Sequence, residues 1–319
     1  MMRFIARRTV QALIVLALMS VAIYGLIGLM PGDPIDEMIA NDPRLTTADA
    51  QRLKAVYGLD RPLPERYLAW AEHALAGEFG YSRLYNAPVL DVIAPRLANT
   101  VGLMATSLAL ALIVALPLGV LAARRANGWL DGAINLGCFA GISVPTFWLG
   151  LMLMVVFAVR LRWLPAGGTG VAEGGTVIER ARHLILPVAT LAVVTVPVYT
   201  RHVRAALIEI LGLDFVQTAR AKGASEARVI WRHALPNALM PVVTLLALEL
   251  GGLFSGALVT EQIFAWPGMG KLIFDAIMGN DYNLALMALL FATAATLVGN
   301  LAADLAYARL DPRVRYDRR

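Results

Sequence analysis

Residues Asp214–Val242 read "DFVQTARAKGASEARVIWRHALPNALMPV" and form a polar interruption in a strongly apolar chain. The chain of 319 residues is 58% hydrophobic and only 16% charged. A soluble domain of this size does not need so much apolar surface, so the lipid bilayer is the expected solvent. We therefore expect this polar segment to connect two membrane-embedded stretches and to lie in water itself.

The chain contains six apolar runs, which lie on both sides of this segment. A helix that spans the bilayer needs roughly 20 mostly apolar residues, and its backbone polar groups must pair within the helix. The sequence therefore predicts an all-α integral membrane protein with six transmembrane helices. The runs are Val10–Met30, the stretches between Arg96 and Arg124, between Asp131 and Arg160, and between Arg182 and Arg201, Ala234–Thr260, and Tyr282 to about Tyr307.

The N-terminal run also resembles a secretory signal peptide, because "MMRFIARRTV" places positive charge before it. The run is longer than an ordinary signal-peptide core, and no small-residue cleavage site follows it. We interpret it as a retained first helix and keep the signal peptide as the alternative.

Positive residues predict the orientation, because Lys and Arg concentrate in cytoplasmic loops. More than half of the 28 Lys and Arg residues fall on one side of the predicted helices, including both ends of the chain and the segment after Arg201. We therefore expect both termini to be cytoplasmic. The long, mostly acidic loop after the first helix should lie outside, with two short amphipathic helices, one around Leu53–Leu59 and one in "ERYLAWAEHAL".

Motifs of enzymes and of nucleic-acid-binding proteins are missing from the sequence. The four His residues are scattered, and neither a His-Glu-x-x-His helix nor a Gly-x-Ser-x-Gly turn is present. "WPGMGK", Trp266–Lys271, resembles the end of a phosphate-binding loop, but Ala265 replaces its first glycine and Leu272 its magnesium-binding Ser or Thr. No basic patch is interleaved with aromatic residues as base stacking requires. We expect no catalytic site, no metal or cofactor in this chain, and no nucleic acid partner.

The opening segment itself predicts two short helices joined by a tight turn. Asp214 is a suitable N-cap, Gly223 suits a left-handed C-cap, Ser225 can cap the second helix, and Pro236 should interrupt it. Small side chains at Thr218, Ala219 and Ala221 would let a partner approach closely, and Arg220 and Lys222 would be available for ionic contacts. The alternative is a basic loop that only fixes topology and touches lipid headgroups.

The same segment resembles the EAA loop of ABC importer permeases, whose pattern is Glu-Ala-Ala, three residues, Gly, nine residues and Ile-x-Leu-Pro. Gln217, Thr218 and Ala219 occupy the first three places, Gly223 follows at the right spacing, and "HALP" ends the pattern. Where the segment departs from that pattern it resembles the peptide/nickel subfamily. The resemblance implies that ATPase subunits contact Gln217, Thr218, Ala219, Arg220, Ala221, Lys222, Gly223, Leu235 and Pro236.

Other fragments extend this resemblance along nearly the whole chain, to the first permease of dipeptide and oligopeptide importers. They are "MPGDP", "YGLDRPLPERYLAW", "GEFGYS", "PVLDVIAPRLANT", "SVPTFWLG", "LVTEQIFAWPGMGKL" and "ADLAYARLDPRVRY". The implied fold is that of a type I ABC importer (MetI-like) permease in the bacterial inner membrane. The implied partners are a second homologous permease, two ABC ATPases that bind ATP and Mg²⁺, an external substrate-binding protein, and a peptide substrate.

The resemblance also gives the domain organisation. Residues 1–30 would be the cytoplasmic N-terminus and first helix, 31–96 the external loop, 97–308 the permease core with its coupling loop at 201–236, and 309–319 a cytoplasmic tail. Selection of substrate would rest largely with the binding protein, so dipeptides, longer peptides, glutathione and nickel chelates stay open.

Glu249 is the ionisable residue within the fifth run, and such groups inside a membrane are usually functional. It is a candidate for contact with the ammonium group of a peptide substrate or for pairing across the interface, with a structural hydrogen bond to a neighbouring helix as the alternative. Asp304 is expected to anchor nearby arginines such as Arg309. An ion-coupled secondary transporter is the alternative from another class, although inverted repeats and midplane polar clusters are not evident.

Overall fold

The computed structural model describes residues 2–29, 61–170, 176–243, 245–246 and 258–310. Several predictions concern residues outside these ranges: the first outer amphipathic helix, Glu249 and residues 311–319. All structural statements below apply to the described residues.

The described residues are almost entirely helical. In chain order the helices are α1 (Met2–Gly28), α2 (Leu63–Leu75), α3 (Val89–Arg124), α4 (Trp129–Ser143), α5 (Thr146–Leu153, continued by a π-helix over Met154–Arg160), α6 (Val177–Leu211), α7 (Asp214–Ala221), α8 (Glu226–Arg228, continued by a π-helix over Val229–Ala234), α9 (Leu235–Ala238), α10 (Leu258–Ile263), α11 (Met269–Met278) and α12 (Tyr282–Leu310). A two-stranded antiparallel hairpin, β1 (Tyr81–Ser82) and β2 (Ala87–Pro88), precedes α3. The second predicted outer helix is confirmed as α2.

Within the described residues, four helices are long and apolar enough to cross a membrane: α1, α3, α6 and α12. The predicted third run is not one straight helix, because α4 and α5 meet at an angle of 95°. The cause is local: Pro145 lacks a backbone N–H, and Val144 before it is held in the extended conformation that a following proline favours. If this bent pair is one span, the described residues contain five. The middle of the predicted fifth run, residues 247–257, lies outside them.

Among the described helices, α3 and α6 pack against each other most extensively. Gly119 makes their approach possible, since a Cβ at this position would lie 2.7 Å from the Val203 side chain and 3.0 Å from the Thr200 carbonyl oxygen. Buried Tyr199, Val203 and Leu207 of α6 join a core cluster with α3, α8 and α9. The cluster fixes the end of α6 against the short helices that follow it.

A second core cluster joins α1, the beginning of α3, α11 and α12. Asp281 begins α12: its carboxylate accepts from the Leu284 amide at 3.1 Å and from the Ser82 hydroxyl of the hairpin at 2.6 Å. At the other end of the helix, Asp304 lies 3.2 Å from the Arg8 guanidinium. Asp304 therefore pairs with an arginine as predicted, and this partner is on α1; the side chain of Arg309 lies outside the described residues.

Candidate functional site

The predicted coupling loop is an ordered helix-turn-helix at the end of α6. Leu213, not Asp214, occupies the N-cap position of α7, so the N-cap prediction is wrong, and Asp214 lies in the first turn instead. Its carboxylate can still favour the positive end of the helix dipole there. Val216 is fully buried and holds α7 against the rest of the loop.

The turn after α7 is a Schellman motif. Gly223 has φ +80°, the left-handed conformation that only glycine adopts without a steric cost. The Gly223 amide donates to the Arg220 carbonyl at 2.9 Å, and the Ala224 amide donates to the Ala219 carbonyl at 3.2 Å. The predicted left-handed C-cap at Gly223 is confirmed.

The second helix begins where the sequence predicts. The Ser225 side chain accepts from the Arg228 amide at 3.4 Å and caps α8. The prediction that Pro236 interrupts this helix is wrong, because the helical conformation continues past it in α9. In a regular α-helix a proline leaves one backbone hydrogen bond unmade, and its ring clashes with the carbonyl group one turn earlier. The π-helix over Val229–Ala234 widens the turn just before Pro236 and so relieves this strain.

Arg220 spans the turn and pairs with Glu226. Its Nε lies 2.8 Å from Glu226 Oε1, and its second nitrogen lies 3.3 Å from Oε2. The hydrogen bonds from Arg220, together with its charge and that of Arg124, hold the pKa of the Glu226 carboxyl below its ordinary value. Arg220 therefore braces the turn, a role that the sequence analysis did not assign to it.

The predicted contact residues fall on different sides of the loop. Gln217, Thr218, Ala221, Lys222 and Gly223 are exposed, together with Pro236. Ala219 and Arg220 are partly buried, while Leu235 is buried in the core cluster behind α9. Five of the nine predicted contact residues, all of them between positions 217 and 223, therefore form one accessible surface. Leu235 lies beneath it.

Exposed apolar side chains flank this surface, and the sequence analysis missed them. Leu213 is 44% exposed, Phe215 43% and Trp231 59%. Exposed aromatic residues around a polar helix are typical of protein interfaces. The pattern "LDF", an apolar pair around the first residue of a short polar helix, was the available signal.

The "WPGMGK" segment forms a buried structural clamp. Glu261 is fully buried, and its carboxylate accepts from the Thr100 hydroxyl at 2.7 Å and from the Lys271 amide at 2.9 Å. The Thr100 hydroxyl in turn accepts from the Met269 amide at 2.7 Å. A Cβ at Gly268 would overlap the Glu261 carboxylate, so the tight turn needs glycine there. Glu261 is a buried acidic residue that the sequence alone did not point to, whereas Glu249 lies outside the described residues.

Two side chains of the clamp segment have partners within the protein. Lys271 Nζ lies 2.7 Å from Asp275 Oδ2. Trp266 is only 2% exposed and donates its indole N–H to the Asn99 carbonyl at 3.2 Å. Trp266 therefore packs inside the chain.

A polar cavity of about 490 Å³ lies beside α6 in the loop after the α5 extension. Arg162, Arg182, His183 and Glu179 line it, so it carries both positive and negative side chains. Arg182 also donates to the Trp163 carbonyl at 2.9 Å, which fixes its position. Among the described residues, no group of three His, Cys, Asp or Glu side chains is arranged to hold a metal ion.

Two family descriptions match this chain. Residues 115–316 match the binding-protein-dependent transport system inner membrane component, and residues 1–104 match the N-terminal region of such membrane components. The chain is 38% identical over 318 residues to the oligopeptide transport system permease protein AppB of Bacillus subtilis, covering 99% of this chain and 100% of AppB. It is 35% identical over 319 residues to the glutathione transport system permease protein GsiC of Escherichia coli K12, covering 99% and 100%.

A solved structure shares the fold. An inward-facing structure of the MetNI methionine ABC transporter aligns with a TM-score of 0.57 at 18% identity, covering 70% of this chain and 98% of the matched chain. At this identity the similarity shows the fold alone, that of an importer permease.

Proposed function

The chain belongs to the binding-protein-dependent transport system inner membrane components, and from this premise we propose that it forms half of the translocation pathway of an ATP-driven peptide importer. A second, homologous permease completes the pathway. Two ABC ATPases on the cytoplasmic side bind ATP and Mg²⁺, and an external binding protein delivers the substrate. The chain itself is the transport subunit and hydrolyses no nucleotide.

The observation that carries this proposal is the construction of α7. A helix of 35 residues is about 52 Å long, whereas the apolar core of a bilayer is only about 30 Å thick. α6 therefore extends beyond the membrane and carries α7 at its end. The Schellman turn and the Arg220–Glu226 pair make α7 a stiff projection, and the core cluster behind α9 connects it to the membrane helices.

Contact with an ATPase fits the surface of α7. Its exposed residues are small or polar, with Phe215 and Trp231 as apolar anchors at the edge. ATP-driven movement of the ATPases would push α7 and be transmitted into α6. A loop that only fixed topology would need neither the glycine turn nor the braced arginine.

Peptides are the proposed substrate, because AppB and other similar relatives are named as peptide permeases. Glutathione is the second candidate, supported by the similarity to GsiC along the whole chain. Both are zwitterionic, and the polar cavity with Arg162, Arg182 and Glu179 offers charges of both signs to such a solute. Membership in this family argues against an ion-coupled secondary transporter.

The test uses the complete importer with two variants of the α7 turn. Ala219→Glu places a long charged side chain where a partner must approach, and Gly223→Val opposes the left-handed turn. Ala126→Glu is the matched control, since Ala126 is exposed in another loop on the same side, between α3 and α4. Membrane abundance, ATPase copurification and uptake of radiolabelled di- and tripeptides, with glutathione in parallel, are measured together.

We expect both α7 variants to reach normal abundance but to lose ATPase copurification and uptake, while Ala126→Glu retains both. Normal uptake by both α7 variants at normal abundance would refute α7 as the coupling surface. If the unaltered importer takes up glutathione but not peptides, glutathione becomes the assigned substrate, and the proposed coupling role of α7 is unaffected.

A further inference from the structure

Asp131 at the beginning of α4 is a buried carboxylate with an unusually complete set of partners. It is 3% exposed and forms two hydrogen bonds with Arg204 of α6, both at 2.6 Å. The backbone N–H of Asn127 donates to the same carboxylate at 2.9 Å, and the side-chain amide of Asn135 donates to it at 2.7 Å. Four donors therefore hold one carboxylate in a single position.

Two of these donors, Asn127 and Asn135, are close to Asp131 in sequence. Their bonds are enough to hold the loop between α3 and α4 in place. Asn127 has φ +64°, and its bond to Asp131 stabilises this left-handed conformation. Asn135 lies one turn further along α4 and donates to the same carboxylate. Arg204 is different, because it is 73 residues away in sequence and belongs to another long helix.

The position of Arg204 relates the pair to α7. Nine residues of α6 and its C-terminal turn separate Arg204 from Asp214, and they are helical up to Leu211. Arg204 therefore lies on the part of α6 that carries α7. Asp131 lies at the opposite end of α4 from the 95° break at Val144–Pro145.

We propose that the Asp131–Arg204 pair is the positioning contact that makes α4 follow α6 when α7 is displaced, so that the push reaches the bent α4–α5 pair. This inference rests on the proposed role of α7 as the coupling surface. A buried ion pair adds little net stability compared with apolar packing, but bidentate geometry fixes the direction in which two helices are joined. Apolar side chains between α4 and α6 could slide, whereas two parallel hydrogen bonds resist sliding.

The test replaces the ion pair with a covalent link of similar reach. Asp131→Cys and Arg204→Cys are combined with Cys138→Ser, and the complete importer is assayed before and after treatment with a short, membrane-permeant bifunctional thiol reagent. Uptake per ATP hydrolysed is the readout, because a defect that only lowers protein stability reduces uptake and hydrolysis together.

Without the reagent we expect uptake per ATP hydrolysed to fall by about 5- to 150-fold, the usual range of coupling factors between linked sites. ATPase copurification should stay normal, and cross-linking should restore the ratio to near that of Cys138→Ser alone. The matched control is Asp304→Asn, which removes another ion pair between two helices, with Arg8, and should leave the ratio unchanged.

An unchanged ratio in the unlinked double variant would refute the inference, as would a lowered ratio that cross-linking does not restore. Asp131→Asn keeps one oxygen that accepts from Asn127 or Asn135 and weakens the pair with Arg204, and it should lower the same ratio if the double cysteine variant is not recovered in membranes. The proposed function is judged separately, because normal uptake by Ala219→Glu and Gly223→Val refutes it and results with the Asp131 and Arg204 variants do not.

Discussion

Thr100→Val is expected to weaken the buried structural clamp around Glu261 more than its small chemical change suggests. The Thr100 hydroxyl donates to Glu261 Oε1 and accepts from the Met269 amide, both at 2.7 Å, and both Thr100 and Glu261 are fully buried. Valine keeps the shape, so no cavity forms. The change instead removes a donor from a buried carboxylate and leaves the Met269 amide without this acceptor.

The magnitude follows from those two losses. A hydrogen bond to a charged group contributes about 1.5–3 kcal/mol and a neutral one about 1 kcal/mol, and stranded buried groups add their own desolvation cost. We therefore expect Thr100→Val to lower the free energy of unfolding by about 3 kcal/mol. That would be a large part of the total stability of an ordinary protein, about 5–15 kcal/mol.

Chemical unfolding of the purified chain in mixed micelles, followed by tryptophan fluorescence, measures this loss. Thr190→Val is the matched control: Thr190 is equally buried, but its hydroxyl donates to the Leu186 carbonyl within its own helix at 2.9 Å. We expect it to cost about 1 kcal/mol or less. Equal losses in the two variants would refute the reasoning that the clamp depends on the Thr100 hydroxyl.

Gly223→Ala should destabilise the α7 turn by about 1 kcal/mol or more because of φ +80°, seen as faster hydrogen exchange of the Ala224 amide, whereas Gly137→Ala, where a Cβ meets open space, should not. Because the pKa of Glu226 is lowered in the folded chain, its bond to Arg220 stabilises the turn above the ordinary pKa of a glutamate and is lost as the pH falls through the lowered value. Protection of the Gly223 amide, which is the intrinsic exchange rate relative to the observed rate at the same pH, should therefore be constant at neutral pH and fall only in acid, and Glu226→Gln should remove that pH dependence. Lys271→Ala should leave ATP-dependent uptake largely intact, since Lys271 pairs with Asp275; lost nucleotide binding by the purified permease would contradict this. In a Cys138→Ser background, Leu75→Cys should react with an impermeant thiol reagent from outside, and Ala227→Cys only after permeabilisation; the reverse pattern would overturn the predicted orientation.

Local sequence signals predicted the parts of the structure that depend on neighbouring residues. Gly223 and Ser225 were identified because a left-handed turn and a helix cap each depend on one or two adjacent residues. The long apolar helices were equally predictable, because their composition alone determines where they can be stable. The second outer helix followed from the spacing of its apolar residues.

Contacts between distant residues could not be predicted in this way. Arg204 and Asp131 are separated by 73 positions, and nothing in the sequence says that they meet. Glu261 was missed because it follows the apolar run and reads as a surface residue, although Thr100 and the Lys271 amide bury and satisfy it. The angle at Val144–Pro145 was also beyond the sequence, since proline indicates a bend but not its size.

The π-helix over Val229–Ala234 has a consequence for which insertions and deletions this chain can tolerate. A π-helix closes its hydrogen bonds one residue further along the chain than an α-helix, so removal of one residue from Val229–Ala234 can be absorbed by a return to regular α-helix. A residue removed from the regular helix that follows has no such outlet and would rotate the rest of the chain by about 100°. Ala238 and Val242, which now share one buried face with Leu235, would then point away from α3 and α6. Relatives that keep this helix pairing should therefore vary in length at Val229–Ala234 rather than after Leu235.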